Sequence, residues 1–114
     1  CIRMIKNGTV DTFAGMCGTP GYLDGPAKSA KFKSPYSLNM VSGVMYVADT
    51  SNHCIRTISN GKVGTLTGEC GTPGKSNGIL SKAGFNHPKG VAVDENGRIF
   101  VAEPDRFRIR AILP

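Results

Sequence analysis

The sequence has no tryptophan, and no apolar run approaches the roughly 20 residues that cross a bilayer as a helix. No membrane insertion is expected of this segment on that ground. Charged residues make up 19% of the chain, below the usual share of about 25%. Helix formers are too few and turn formers too many for a helix bundle or coiled coil. Acidic residues are scarce, 8 against 14 lysines and arginines, which leaves a formal charge of +6. Nothing at the start resembles a signal peptide. Position 1 is Cys1, and Cys1–Ile5 already alternates like a strand, so the chain reads as a window cut from a longer one.

Glycine and proline are abundant: 22 of 114 residues, about 19% against a typical ~12%. They do not recur every third residue, which excludes collagen. β-branched and aromatic residues alternate in an ordered way, which argues against disorder. A turn-rich, all-β chain remains.

A repeat organises it. Displaced by 53 positions, Cys1–Val41 aligns with Cys54–Asp94, and 18 of the 41 pairs are identical. Ile2-Arg3 meets Ile55-Arg56, Asn7-Gly8 meets Asn60-Gly61, and Cys17–Gly21 meets Cys70–Gly74. Gly25, Ala30, Phe32 and Pro35 meet Gly78, Ala83, Phe85 and Pro88. One inserted residue near Glu95–Asn96 moves the offset to 54, and Ile55-Arg56 then meets Ile109-Arg110. The units are 1–53, 54–107 and the start of a third at 108–114.

Within a unit, Tyr36–Met40, Val44–Ala48, Cys54–Ile58 and Lys62–Thr67 read as four strands of about five residues. Asn60-Gly61 is a two-residue hairpin signal, because a type I′ turn needs positive φ at both central positions. A regular hairpin there sets Cys54 opposite Thr67. A long Gly/Pro loop, Gly68–His87, leads to the next unit. One four-stranded sheet cannot bury both faces, but stacked neighbours can. A period near 50 with four strands per unit predicts β-propeller blades, here a partial propeller.

The segment Val47-Ala48-Asp49-Thr50-Ser51-Asn52-His53-Cys54-Ile55-Arg56 resembles the signature of the NHL-repeat β-propellers. The run Gly18–Ala27, followed by Ala30, Phe32 and Pro35, is similar to the longer-loop subtype of that family. The resemblance covers nearly the whole chain. Two departures stand out. Cys54 replaces the family's usual arginine, and Glu103–Phe107 replaces Asp49–His53, which puts the second unit's turn network in doubt. Asp49, Asn52 and His53 are read as a structural turn satisfied by its own side chains.

With strands lettered a to d from the axis outward, the chain supplies c, d; a, b, c, d; a, b, c. Three such chains could close a six-bladed ring, but strand c would then be supplied twice. The remaining blades are therefore expected from the same, longer chain. Cut edges should leave this piece poorly stable or self-associating.

The cysteines recur in pairs, Cys1 with Cys17 and Cys54 with Cys70, each 16 apart. In an oxidising compartment each pair would staple the c–d hairpin to the loop after it; in a reducing one they are four thiols. Their joint recurrence favours the staple, and with it an extracellular or lumenal setting. A zinc site from Cys54, Cys70, His53 and His87 lacks ligand spacing, so no metal or other cofactor is expected. Nucleophile-elbow and phosphate-loop motifs are lacking, and no catalytic residue is assigned. Asn7-Gly8-Thr9 is a glycosylation sequon at a hairpin tip, although the turn alone explains Asn7.

In propellers the d–a and b–c loops share one face. Lys28, Lys31, Lys33, Lys75, Lys82, Lys89 and Arg106 are assigned to it as a candidate binding face, partly offset by Asp24, Asp49, Glu69, Glu103 and Asp105. The leading expectation is a non-enzymatic scaffold that binds a protein partner through these loops. Nucleic acid or an anionic glycan is the alternative, since some NHL propellers bind RNA through a basic face. A propeller lyase or lactonase is a third. It needs polar groups converging on the axis, for which the innermost strands offer Asn39.

Overall fold

The computed structural model describes residues 1–114. Ten antiparallel strands form three sheets in chain order. β1 (Ile2–Lys6) pairs with β2 (Thr9–Ala14). β3 (Gly25–Pro26), β4 (Pro35–Val41), β5 (Val44–Asp49), β6 (Cys54–Ser59) and β7 (Lys62–Thr67) make a sheet in the order β4-β5-β6-β7-β3. β8 (Gly90–Val93), β9 (Ile99–Glu103) and β10 (Arg108–Ile112) make the third. The protein is nearly all β, and its sheets are successive blades of a partial propeller.

The hairpins follow from local chemistry. Asn7-Gly8, Ser42-Gly43 and Asn60-Gly61 all take positive φ, between 51° and 80°, as two-residue turns between twisted strands require. The long loop after each d strand is less simple than its composition suggests. Gly25–Pro26 returns to pair with Lys62 and Val63, adding a two-residue outer strand to the four expected. A pairing that short leaves no periodic signal in sequence.

Hairpin register also differs from expectation. Thr67 pairs with Ile55 rather than Cys54, because the ladder slips between Ile55 and Arg56. The same slip occurs between Ile2 and Arg3 in the first hairpin, so the bulge is part of the repeat. It places Gly68 against Cys54, with the glycine at φ +92°. A Cβ there would lie 2.8 Å from the His53 carbonyl oxygen and 3.0 Å from the Cys54 Cα. Gly68→Ala is therefore expected to cost about 2–3 kcal/mol through combined overpacking and backbone strain. A urea-denaturation midpoint unchanged from that of the parent chain is the result that would contradict this.

Two apolar clusters glue the sheets together. Ile2, Ala14, Phe32, Val47, Ile58 and Val63 fill the first junction. Ala48, Ile55, Phe85, Val91, Ile99 and Val101 fill the second. Tyr36, Leu38 and Met40, on the β4 face beside β1, are exposed, as are Phe100 and Ile109 of the third sheet.

Candidate functional site

The b–c connections carry the repeat's signature residues. After β5 the chain makes a 3-10 turn, Thr50–Asn52, and leaves it through His53 in the left-handed region at φ 58°. Asp49, Asn52 and His53 are all buried, and both Asp49 oxygens, Asn52 Nδ2 and His53 Nδ1 are hydrogen-bonded inside the fold. Asp49 Oδ1 accepts from the Lys33 backbone N–H at 2.8 Å. Asp49 Oδ2 accepts from Asn52 Nδ2 at 2.7 Å and from the Arg56 guanidinium at 2.6 Å. Asn52 Nδ2 also donates to the Gly21 carbonyl.

Arg56 is the centre of this arrangement, and sequence reasoning assigned it no role. Its side chain is 0% exposed. The guanidinium donates to Asp49, Asp24, the Lys31 carbonyl and the Leu23 carbonyl. It lies between the Tyr22 and Phe32 rings, 4.9 and 4.8 Å from their centroids. A buried charge persists only when paired and hydrogen-bonded, and here both conditions hold.

The second unit rebuilds this network with different residues. Arg110 donates to Glu103, to the Gly84 and Ser76 carbonyls and to Asn77 Oδ1, and its guanidinium lies 4.8 Å from the Phe85 centroid. Glu103 replaces Asp49: its Oε2 accepts from the Asn86 N–H, as Asp49 does from Lys33. Arg108, standing where the earlier units have cysteine, donates to Glu103 Oε1 at 3.0 Å. The departure at Glu103–Phe107 thus preserves the buried carboxylate–arginine pair, although Asp105, Arg106 and Phe107 are exposed.

Neighbouring loops meet at this end of the sheets. Ser51 N–H donates to the Lys33 carbonyl, Gly71 N–H to the Asn52 carbonyl, and Thr50 Oγ1 to the Pro88 carbonyl. The b–c turns and the d–a loops therefore do share a face. His87 N–H donates to His53 Nδ1, so that nitrogen is unprotonated and the imidazole carries its hydrogen on Nε2. The two rings meet edge to face at 4.3 Å. Burial first, then His87, then Lys33, holds the His53 pKa below its ordinary 6.5. A base whose folded pKa is lowered contributes stability above its unfolded pKa and loses it as pH falls through 6.5 toward the folded value. Denaturation midpoints are expected to drop between pH 7.5 and 5.5, and His53→Asn, which tolerates the left-handed turn, should flatten that slope.

The basic residues do not form one patch. Lys33, Lys75 and Arg106 are exposed around the b–c end, and the Lys89 ammonium sits 5.6 Å from the Tyr36 centroid. Lys31 is half-buried beneath Arg56, which takes its carbonyl. Lys82 lines a cleft shared with the acidic Glu69. Lys28 lies elsewhere: its neighbour Ala27 donates to the Gly61 carbonyl at the c–d hairpin tip, and its own ammonium reaches the Thr12 carbonyl. The β3 pairing pulls that stretch of loop away from the b–c end.

Both cysteine pairs are disulfides, Cys1–Cys17 and Cys54–Cys70, with Cα separations of 4.9 and 5.1 Å. Cys54 and Cys70 are thereby separated from the two histidines as ligands. Asn7 is exposed at its hairpin tip. Asn39 is half-buried on β4, and Ser37 on the same strand accepts from the Val91 N–H across the sheet junction.

The family model described as "NHL repeat" matches residues 85–112. The chain is 34% identical over 101 residues to NHL repeat-containing protein 2 of Bos taurus, covering 87% of this chain and 14% of that protein. It is 30% identical to its namesake in Gallus gallus, covering 97% of this chain and 17% of that one. The chain thus spans less than a fifth of the length of these relatives. Among solved structures, a Bacteroides thetaiotaomicron protein of unknown function superposes with a TM-score of 0.83 at 24% identity, over 89% of this chain and 26% of that one. A protein described as auxiliary nutrient binding, from the same organism, gives 0.81 at 30% identity, over 90% and 28%. The repeated signature, the conserved geometry of its turn and these likenesses agree: the chain belongs to the NHL-repeat family and folds as part of its propeller.

Proposed function

We propose that this stretch of propeller is a non-enzymatic interaction scaffold whose b–c and d–a loop face receives an acidic protein surface. The observation that carries the reading is the fate of the polar side chains at that face. Asp49, Asn52, Arg56, Glu103 and Arg110 are buried and turned inward on one another. They stiffen the loops and are not free for chemistry on a substrate. Lys33, Lys75 and Arg106 stay outside as exposed cations, with Lys89 half-buried beside Tyr36. Rigid loops with fixed surface charge lower the ordering cost of binding and steer an oppositely charged partner.

Fluorescence anisotropy with two labelled probes, a 20-residue polyglutamate and a 20-nucleotide single-stranded RNA, tests the reading. Polyglutamate is expected to bind in low salt, and Lys33→Glu combined with Lys89→Glu to weaken it at least tenfold. Tighter binding of RNA than of polyglutamate would transfer the face to nucleic acid. Binding of neither probe would remove the basic face as a recognition surface.

A further inference from the structure

The second unit's d–a loop folds around a cleft of about 400 Å³. Glu69, Thr72 and Gly74 line it on the outgoing stretch, and Ser81, Lys82 and Gly84 on the returning one. Ser76 lies between the two stretches and closes one end, its hydroxyl donating to the Lys82 carbonyl at 3.0 Å.

The first unit has the same loop, with side chains in that space. Lys31 lays its stem over Gly21, where a Cβ would lie 3.2 Å from Lys31 Cδ. Leu23 and Lys31 exchange both backbone hydrogen bonds, and Met16 N–H donates to the Ala30 carbonyl. One repeat later Leu23, Lys28 and Lys31 have become Ser76, Ser81 and Gly84, each a loss of volume. Met16 and Ser29 have become Glu69 and Lys82, each a gain of charge. With glycine in the place of Lys31, the two stretches cross so closely that a Cβ on Gly84 would lie 2.8 Å from Gly74 Cα. The bond from residue 16 to residue 30 is not repeated, and the Glu69 N–H and Ala83 carbonyl have no backbone partner beside the cleft.

The site is open in a finished blade. Met16, Leu23 and Ser29, the counterparts of Glu69, Ser76 and Lys82, are exposed although the sheet that follows them is complete. Glu69 and Lys82 are exposed on one lining and form no ion pair with each other or with any other residue. Pro73 and Ala83 are the apolar side chains of the lining, which leaves little for a lipid or an aromatic ring to pack on.

We propose that this cleft binds a small zwitterion of the α-amino-acid class. The Glu69 carboxylate accepts from the ligand's ammonium, and the Lys82 ammonium donates to its carboxylate, both as charge-assisted hydrogen bonds. The Thr72 and Ser81 hydroxyls serve a polar substituent. Lys33 and Lys89 take no part, so the site is independent of the cationic face proposed above.

Titration of the isotope-labelled chain with L-serine, followed through its amide chemical shifts by NMR, tests the assignment. Saturable shifts confined to Gly68–Gly84 are expected at millimolar ligand. Ethanolamine lacks the carboxylate of serine and β-hydroxypropionate lacks its amine. Each should bind about tenfold more weakly, for the loss of one charged partner. Glu69→Gln should weaken serine to the same extent and leave β-hydroxypropionate unchanged, while Lys82→Met should weaken serine and leave ethanolamine unchanged. Ser76→Leu restores the first unit's residue at an exposed position, and should keep the thermal midpoint and abolish binding. Equal affinity for the three probes would overturn the proposal, as would shifts centred outside the loop or the lack of saturation. Loss of serine binding in Lys33→Glu combined with Lys89→Glu would move the ligand to the loop face, which also overturns it.

Discussion

Arg56→Ala is expected to destabilise the protein by about 3–5 kcal/mol, the range for removing one member of a buried ion pair. The loss is one-sided. Asp49 is fully buried and stays behind with its Oδ2 facing the vacated space. The Leu23 and Lys31 carbonyls each lose one of two donors at the same time, keeping only each other's backbone N–H. The packing of the guanidinium against Tyr22 and Phe32 is lost as well. Two comparisons isolate the cause. Arg110→Ala should cost less, because Arg108 still holds a cation on Glu103 Oε1 at 3.0 Å. Arg3, the counterpart of Arg56 in the first hairpin, is exposed, and Arg3→Ala should change stability by less than about 0.5 kcal/mol. Chemical denaturation of the three variants checks the order. Equal losses at Arg56 and Arg3 would sink the argument from burial.

Replacing Cys54 and Cys70 together by alanine is expected to cost about 3 kcal/mol, the chain-entropy figure for opening a loop of some 15 residues. Alanine is preferred to serine because Cys54 is 0% exposed, and a hydroxyl there would need a partner. The bond ties the bulged end of β6 to the loop that has just passed Gly68, so it holds the entrance of the d–a loop in place. Accessibility separates the two bridges. Cys1 and Cys17 are both exposed, whereas Cys54 is enclosed. Under mild reductant, thiol titration should therefore show two thiols before four. Simultaneous appearance of all four would mean that the enclosed bridge gains no protection from its surroundings.

Much of this architecture could be read in the sequence, for a definite reason. Strand alternation and Asn-Gly turns are local, and a repeat doubles every local signal. Lys62–Thr67 reads from the sequence with the bounds the structure shows. The bulge between Ile55 and Arg56 cannot be read from sequence, because a one-residue slip is decided by the glycine that must pass Cys54. β3 is invisible in the sequence because two residues carry no period. Arg56 is visible as an identity in the repeat, but nothing local in the sequence marks its role. A charged residue on an alternating strand reads as solvent-facing, and only the loop from the preceding turn, carrying Asp24, Leu23 and Lys31, encloses it. The signal was available: Ile-Arg recurs in all three units, while the lysines of the candidate face do not.

The junction hydrogen bonds carry a thermodynamic consequence. Ser51, Asn52 and Thr50 on one turn engage Lys33 in the loop before it and Gly71 and Pro88 in the loop after it. In the language of a one-dimensional chain of units, the coupling between neighbours is then large beside the intrinsic stability of each. Opening one sheet strips donors and acceptors from the next. The propeller segment should therefore exchange its slowest amides in one cooperative event spanning β4 to β10, with no stage at which a single sheet opens alone.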